Sequence, residues 1–476
     1  DLAWGSCGRS MGGPLRNPRG TLGLPPASPG NHHPDGNQAG HTLTLNWTTQ
    51  WGRPGANEGV IQIDEAKQTL ENNLGSLDSF NVADPELFRA DSWRPYFTRL
   101  RDQAPVHYCR DSHFGPYWSI STYELIMQVE LDHKTFSNLA KFGGIQLQDI
   151  AENMNRPSFV SMDPPEHTER RRAVTPMTRR SSLESMGDMI RERTVAVLES
   201  LPRNVVFDWV QLVATDLTGM MLATMFDYPQ ERRLDLIHWS DVATTNINAE
   251  SPLVSTEEER YRELENMADT FGPLWRDRAN GKGGFDLITM LANSVATKDM
   301  DREEFIGTLF LLIVGGNDTT RNSMTGGLLA LHENPDQLAK VQENPDLVPN
   351  MVQEMIRFQT PVIHMRRTAL MDKELNGQII RAGDKVALWY VSGNTDETVF
   401  KSPYDFDVER ENARRHLSFG AGIHRCVGDR LAEMQLRVLW EEILARDIRI
   451  EVMGAPERVY SNFIRAISSL PVKIIA

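Results

Sequence analysis

Val348, Met351, Val352, Met355 and Ile356 recur at spacings of three and four, the period of a helix with one apolar stripe. The same period runs through residues 301–335, "DREEFIGTLFLLIVGGNDTTRNSMTGGLLALHENP", and through residues 427–446, "VGDRLAEMQLRVLWEEILAR". Asn334 and Pro335 stop the first of these, which predicts a helix of some 30 residues spanning roughly 45 Å. Alternation takes over in "PVHYC" and "YWSIS", residues 105–109 and 117–121, which predict a short hairpin. Residues 374–394 predict a second small sheet with turns at Gly377 and Gly383, and most of residues 163–392 reads as amphipathic helix. There is no internal repeat. The expected architecture is mainly α with small β-sheets, in one domain over residues 61–476.

Residues 1–60 follow neither period. "GGPLRNPRGTLGLPPASPGNHHPDGNQAG" is rich in Gly, Pro and Asn and buries too little surface to offset its ordering entropy, so disorder is expected. His32 and His33 within it are expected to be solvated, and the lack of an initiator Met fits an incomplete start. The 476 residues are 40% hydrophobic and 24% charged, with a formal net charge of −15. That composition supports a large core and argues against nucleic-acid binding, which needs concentrated positive surface. Cys7, Cys109 and Cys426 are odd in number and far apart, so a disulfide framework is not expected and a reducing, cytoplasmic setting is. The most apolar run, "LFLLIVGG" at residues 309–316, falls short of the roughly 20 residues that span a bilayer. The amino terminus shows no charged-then-apolar signal pattern either.

Chemistry gathers in "FGAGIHRCVG", residues 419–428. Cys426 precedes a helix, whose free N–H groups and dipole favour thiolate. Gly420, Gly422 and Gly428 let a large partner approach the backbone, and His424 and Arg425 add donors. Three readings fit the residues: a buried core cysteine, a nucleophile, and a metal ligand. With no second cysteine nearby, zinc and iron–sulfur sites are disfavoured, whereas a haem needs only one protein ligand. Upstream, Gly315 and Gly316 interrupt the long helix at about 1 kcal/mol each relative to Ala. Asn317, Asp318, Thr319 and Thr320 follow them, an acid beside an alcohol suited to moving protons. Gly326 and Gly327 read as close helix packing. Glu354 and Arg357 lie three apart off the apolar stripe, which by period alone is a surface ion pair.

"FGAGIHRCVG" resembles the haem-binding signature of the cytochrome P450 family, with Phe419, Gly420, Gly422, His424, Cys426 and Gly428 at its fixed positions. "GGNDTT" resembles the same family's oxygen-activation motif. The resemblance implies the cytochrome P450 fold, with a long central helix over the haem and the Cys loop before a C-terminal helix. It implies haem b with Cys426 as axial thiolate, His424 at a propionate, Phe419 beneath the ring, and N–H groups near Gly428 tuning the sulfur. Asp318 and Thr319 would deliver protons. His167 and Arg171 in "MDPPEHTERRRAVTP", and Arg367 in "HMRRTA", resemble propionate clamps, with Arg366 as an alternative to Arg367. Glu354, Arg357 and Arg410 match the family's structural triad.

The resemblance further implies dioxygen as co-substrate and electrons from a separate ferredoxin with its NAD(P)H-dependent reductase, since the chain has no dinucleotide fingerprint. Arg170, Arg172, Arg179 and Arg180 form a basic stretch expected to meet that acidic partner. By family position, the pocket is expected to be walled by Leu139, Phe142, Ile145 and Leu147, by Leu311, Val314 and Gly315, by Val362 and Ile363, and by Phe463 and Ile464. These are nearly all apolar, so a small hydrophobic substrate is expected. The family resemblance runs over about residues 84–476. Within its last third the chain resembles the bacterial soluble alkane-hydroxylase subgroup, which implies terminal hydroxylation of n-alkanes or fatty acids. Bulkier terpenes or steroids are the alternative substrates, and a haem sensor or a peroxide-driven haem enzyme the alternative functions.

Overall fold

The computed structural model describes residues 74–149, 156–281 and 283–475. The chain divides into two compact units, Asp1–Gln62 and Ile63–Ala476, and every described residue belongs to the second. The segment expected to be disordered, with Cys7, His32 and His33, lies outside the described residues.

The second unit is mainly α with small sheets. Six helices position the site: α1 (Tyr123–Leu131), α2 (Glu166–Val174), α3 (Arg233–Thr244), α4 (Arg302–Glu333), α5 (Val348–Gln359) and α6 (Asp429–Ala445). The strands of its largest sheet are β1 (Val106–Cys109), β2 (Tyr117–Ile120), β3 (Phe136–Ser137), β4 (His364–Ala369) and β5 (Lys385–Trp389).

Helix α4 runs unbroken for 32 residues, with the Asp301 carboxylate capping the Glu304 N–H and Asn334 ending it. A Cβ on Gly326 would lie 2.2 Å from Gln359 Oε1, and one on Gly327 2.6 Å from Met355 Sδ. Those two glycines therefore let α5 approach, as the packing reading requires. The sheet order is β1-β2-β5-β4-β3. The hairpin pairs Val106 with Ile120 and Cys109 with Tyr117. Residues 385–389 do not complete the local sheet the alternation predicts. They form β5, parallel to β2 and antiparallel to β4, because Val386, Ala387, Leu388 and Trp389 are buried on both faces, which suits a central strand.

Glu354 and Arg357 are not at the surface, as their period alone implied. Both side chains are fully buried, with Arg357 Nη2 2.7 Å from Glu354 Oε1. Arg410 Nε lies 3.1 Å from both Glu354 oxygens. Arg357 also donates to the carbonyls of Asn394 and Pro403, at 2.7 and 2.9 Å. One carboxylate thus ties α5 to the chain leading into the Cys loop. Buried charges are tolerated only when paired and bonded in this way.

His364 of β4 is fully buried, its Nδ1 2.8 Å from the Asn462 carbonyl and its ring between Trp389 and Phe463. Burial pushes its pKa down to about 4, below the ordinary value near 6.5 in the unfolded chain. A depressed pKa adds stability that is complete above the unfolded value and is lost as pH falls toward the folded one. Between pH 7.5 and pH 5 this group is expected to remove about 2 kcal/mol. Urea unfolding of His364→Gln should show a lower midpoint at pH 7.5 but a smaller further drop at pH 5. An acid loss as large as in the unmodified protein would contradict the assignment.

Candidate active site

The Cys loop is shaped by two backbone positions that other residues resist. Gly420 and Gly422 have φ of 64° and 62°, and a Cβ on Gly422 would lie 2.6 Å from the Glu130 carbonyl of α1. The Cys426 N–H donates to the Phe419 carbonyl at 2.8 Å, and the Gly428 N–H donates to Cys426 Sγ at 3.3 Å. Arg171 of α2 donates to the Arg425 carbonyl and places its charge near the sulfur. Yet the thiol pKa is pushed up to about 11, because burial outweighs the Gly428 N–H and the Arg171 charge. This corrects the expectation of a lowered thiol pKa. Helix α6 starts only at Asp429, three residues on, so its dipole does not offset the desolvation of the sulfur.

Around the loop sit unsatisfied donors. The His167 and His424 rings meet edge to face, 4.4 Å apart, and all four of their buried ring nitrogens lack a partner. Burial holds His167 neutral, with its pKa down to about 4, and it lowers His424 as well, helped by Arg367, His167 and Arg171. The structure therefore brings His167, Arg171, Arg367 and His424 together beside Cys426. Orphaned buried donors among cations fit a ligand that brings carboxylates. No cluster of three or more His, Cys, Asp or Glu able to hold a metal exists among the described residues. A lone, partly buried sulfur there fits a metal that carries its other ligands with it, as haem iron does. Phe419 is buried, its ring 5.1 Å from His416 and under the Arg425 guanidinium.

Arg367 has partners that sequence reasoning missed. Its Nη2 lies 2.7 Å from Glu130 Oε2, and its Nη1 donates to the Arg366 carbonyl. The Tyr390 hydroxyl also donates to Glu130. Glu130 sits on the buried stripe of α1 with Ile126 and Val129. An acid on such an apolar stripe is the signal that could have revealed it. Arg366, the alternative clamp, turns the other way and is considered below.

On α4, Gly315 is exposed although it lies mid-helix, and a Cβ there would meet no atom within 4 Å. Thr319 Oγ1 donates to the Gly315 carbonyl at 3.0 Å. Asp318 faces elsewhere. It accepts from Ser240 and Thr244 of α3, from Asn317, and from Arg321 at 2.8 Å, and Arg321 also pairs with Asp241. Burial raises its pKa despite the Arg321 charge. The acid and the alcohol are sequence neighbours, but they lie on different faces and do not bond to each other.

The expected pocket walls divide. Leu139, Ile145, Leu311, Val314 and Phe463 are partly exposed, and Phe142 is 37% exposed. Val362 and Ile464 bridge each other and are nearly buried. Ile363 and Leu147 belong instead to a core cluster with Phe88, Phe97 and Trp389. Met365, missed from sequence, is the one partly exposed residue of β4.

A family model described as "Cytochrome P450" matches residues 113–453. The linalool 8-monooxygenase of Pseudomonas putida is 33% identical over 412 residues, 83% of this chain and 98% of that protein. The solved structure of a cytochrome P450-153 from Novosphingobium aromaticivorans is 44% identical, with a TM-score of 0.78 over 83% of this chain and 99% of that one. CYP153D17 from Sphingomonas sp. PAMC 26605 is 47% identical, with a TM-score of 0.77 over 84% of this chain and 100% of that one. A partly buried cysteine on a loop with orphaned histidines nearby, a mid-helix glycine left exposed and these likenesses together show that the chain belongs to the cytochrome P450 family, the haem-thiolate monooxygenases.

Proposed function

We propose that this monooxygenase hydroxylates linear hydrophobic substrates, n-alkanes or fatty acids, with the terminal carbon favoured. What supports the substrate reading most is the 44% and 47% identity to the two P450-153 structures, alongside the alkane-hydroxylase resemblance of the C-terminal third. The partly exposed, apolar Leu139, Ile145, Leu311, Val314 and Phe463 fit such a chain. The relative named linalool 8-monooxygenase favours a second reading, a terpene alcohol.

In this reading residues 61–476 form the haem-holding domain. Cys426 ligates the iron as thiolate, His167, Arg171, Arg367 and His424 hold the propionates of haem b, and Phe419 and Gly428 frame the sulfur side. When bound, a thiolate-ligated haem supplies the activation of dioxygen for insertion of one oxygen atom into a C–H bond. Gly315 leaves room beside α4, and the Thr319 hydroxyl presents a proton donor there. Asp318, its pKa raised by burial, is held in reserve among Ser240, Thr244 and Arg321. A change at α3 that frees Asp318 would let it recharge Thr319.

Electrons come, in this account, from an acidic ferredoxin served by a reductase. Arg172, Arg179 and Arg180 are exposed and suit that encounter. Arg170 drops out of the patch, since it turns inward to pair with Glu304 of α4. No helix among the described residues is long and apolar enough to cross a membrane.

Two measurements test the proposal. Titrating the purified ferric protein with linear alkanes, linear fatty acids and cyclic terpenoids should give a low-to-high-spin absorption shift with linear chains. A shift confined to terpenoids would contradict the substrate reading. In Thr319→Ala, product formed per oxygen consumed should fall at least about tenfold, a lower bound beneath the roughly 10²–10⁴-fold of general-acid catalysis, while oxygen consumption continues. Unchanged coupling would remove Thr319 from the proton route, while product from hydrogen peroxide alone, or no product at all, would favour a peroxide-driven enzyme or a sensor.

A further inference from the structure

Adjacent strand residues face opposite sides of a sheet, and the two arginines of "HMRRTA" are separated in this way. Arg367 faces Glu130 and the Cys loop. Arg366, whose side chain is only 3% exposed, faces the loop of residues 139–149. Its Nη2 donates to the Phe142 carbonyl at 2.6 Å, and its Nη1 donates to the Gln146 carbonyl at 3.3 Å and to Asp149 Oδ1 at 2.7 Å. Its own backbone N–H donates to the Ile145 carbonyl at 2.7 Å. Thr368, on the same face of β4, adds a hydroxyl to the Phe142 carbonyl at 3.0 Å. Lys385 of the neighbouring strand closes the arrangement by pairing with Asp149 and donating to the Phe114 carbonyl.

The loop is built to receive that guanidinium. Gly143 adopts φ of 105°, and a Cβ there would fall 2.3 Å from Arg366 Nη2. No side chain could stand where the arginine enters. A buried arginine must find acceptors for its planar fork of donors, and here three come from one short loop. A lysine carries the same charge, but its three donors sit on one nitrogen, so it does not reach acceptors divided between Nη1 and Nη2. The loop so gripped carries Leu139, Phe142 and Ile145, three of the proposed pocket walls.

We propose that Arg366 is a positioning residue that latches the loop of residues 139–149, so that substrate affinity and regioselectivity depend on a side chain that touches neither substrate nor cofactor. The inference rests on the assignment of that loop to the pocket wall. Asp149 and Lys385 serve the same latch from its outer side.

The test uses the haem-loaded full chain and its variants Arg366→Gln, Arg366→Lys and Asp149→Asn. Backbone hydrogen exchange within residues 139–149 should quicken by about tenfold or more in Arg366→Gln, less in Arg366→Lys, and least in Asp149→Asn. The spin-shift dissociation constant for the linear chain that binds the unmodified protein best should rise roughly tenfold in Arg366→Gln. Terminal selectivity should fall with it, while haem content and the ligand-free spectrum hold. If Arg366→Gln does not fold, the smaller changes in Asp149→Asn carry the same comparison. Unchanged loop exchange in every folded variant would overturn the latch. Faster exchange with unchanged affinity and product pattern would overturn its role in specificity. Failure of the linear-chain reading shows separately, as an unmodified protein whose spectrum no linear chain shifts, and the exchange comparison needs no substrate.

Discussion

A sulfur that must act as an anion sits, partly buried, where its surroundings favour the thiol. Desolvation dominates at Cys426, and the Gly428 N–H and the Arg171 charge offset only part of it. On its own this side chain is a thiol. Cys426 would hold a haem iron as thiolate, and the metal's positive charge would supply the compensation that the loop itself lacks. The loop is therefore an incomplete charge arrangement that a haem completes, and the orphaned nitrogens of His167 and His424 have the same character. Cofactor and fold are coupled through desolvation, and the loop glycines and buried histidines cannot be altered independently of that coupling.

Charge management of the same kind recurs at three buried carboxylates. Glu354 is divided between Arg357 and Arg410, Glu130 between Arg367 and Tyr390, and Asp318 among Arg321, Ser240 and Thr244. Each joins segments distant in sequence, so each fixes tertiary geometry where an apolar contact would allow sliding. The three differ in consequence. The first holds the entry to the Cys loop, the second sets the charge beside it, and the third keeps an acid ready but out of line with Thr319. Low dielectric makes all three rigid, since a broken pair would leave an unpaired buried charge.

The long helix, the small sheets and the Cys loop before α6 were legible because each rests on local signals: apolar period, alternation, and glycines at forced backbone positions. Long-range pairing was not legible. The sequence could not say that residues 385–389 insert between β2 and β4, nor that Ile363 and Leu147 pack in the core while Met365 stays partly exposed. At the site, motif spacing marked Cys426, His424 and Thr319, yet the thiol pKa was misjudged because burial is a property of the whole fold. Glu130 escaped notice for a related reason: an acid on an apolar stripe looks misplaced until its arginine, more than two hundred residues away, is brought beside it. The opposite facings of Arg366 and Arg367 follow from strand alternation once residues 364–369 are known to be a strand.

The central claim is that the sulfur of Cys426 is the haem ligand, and the absorption spectrum of the reduced, carbon monoxide-bound protein tests it most directly. The account predicts the red-shifted band of a thiolate-ligated haem in the unmodified protein and in Cys109→Ser, whose cysteine is buried in the core away from the site. It predicts loss of that band in Cys426→Ser, with haem lost or bound without thiolate. A red-shifted band that survives in Cys426→Ser would place the thiolate elsewhere and contradict the account.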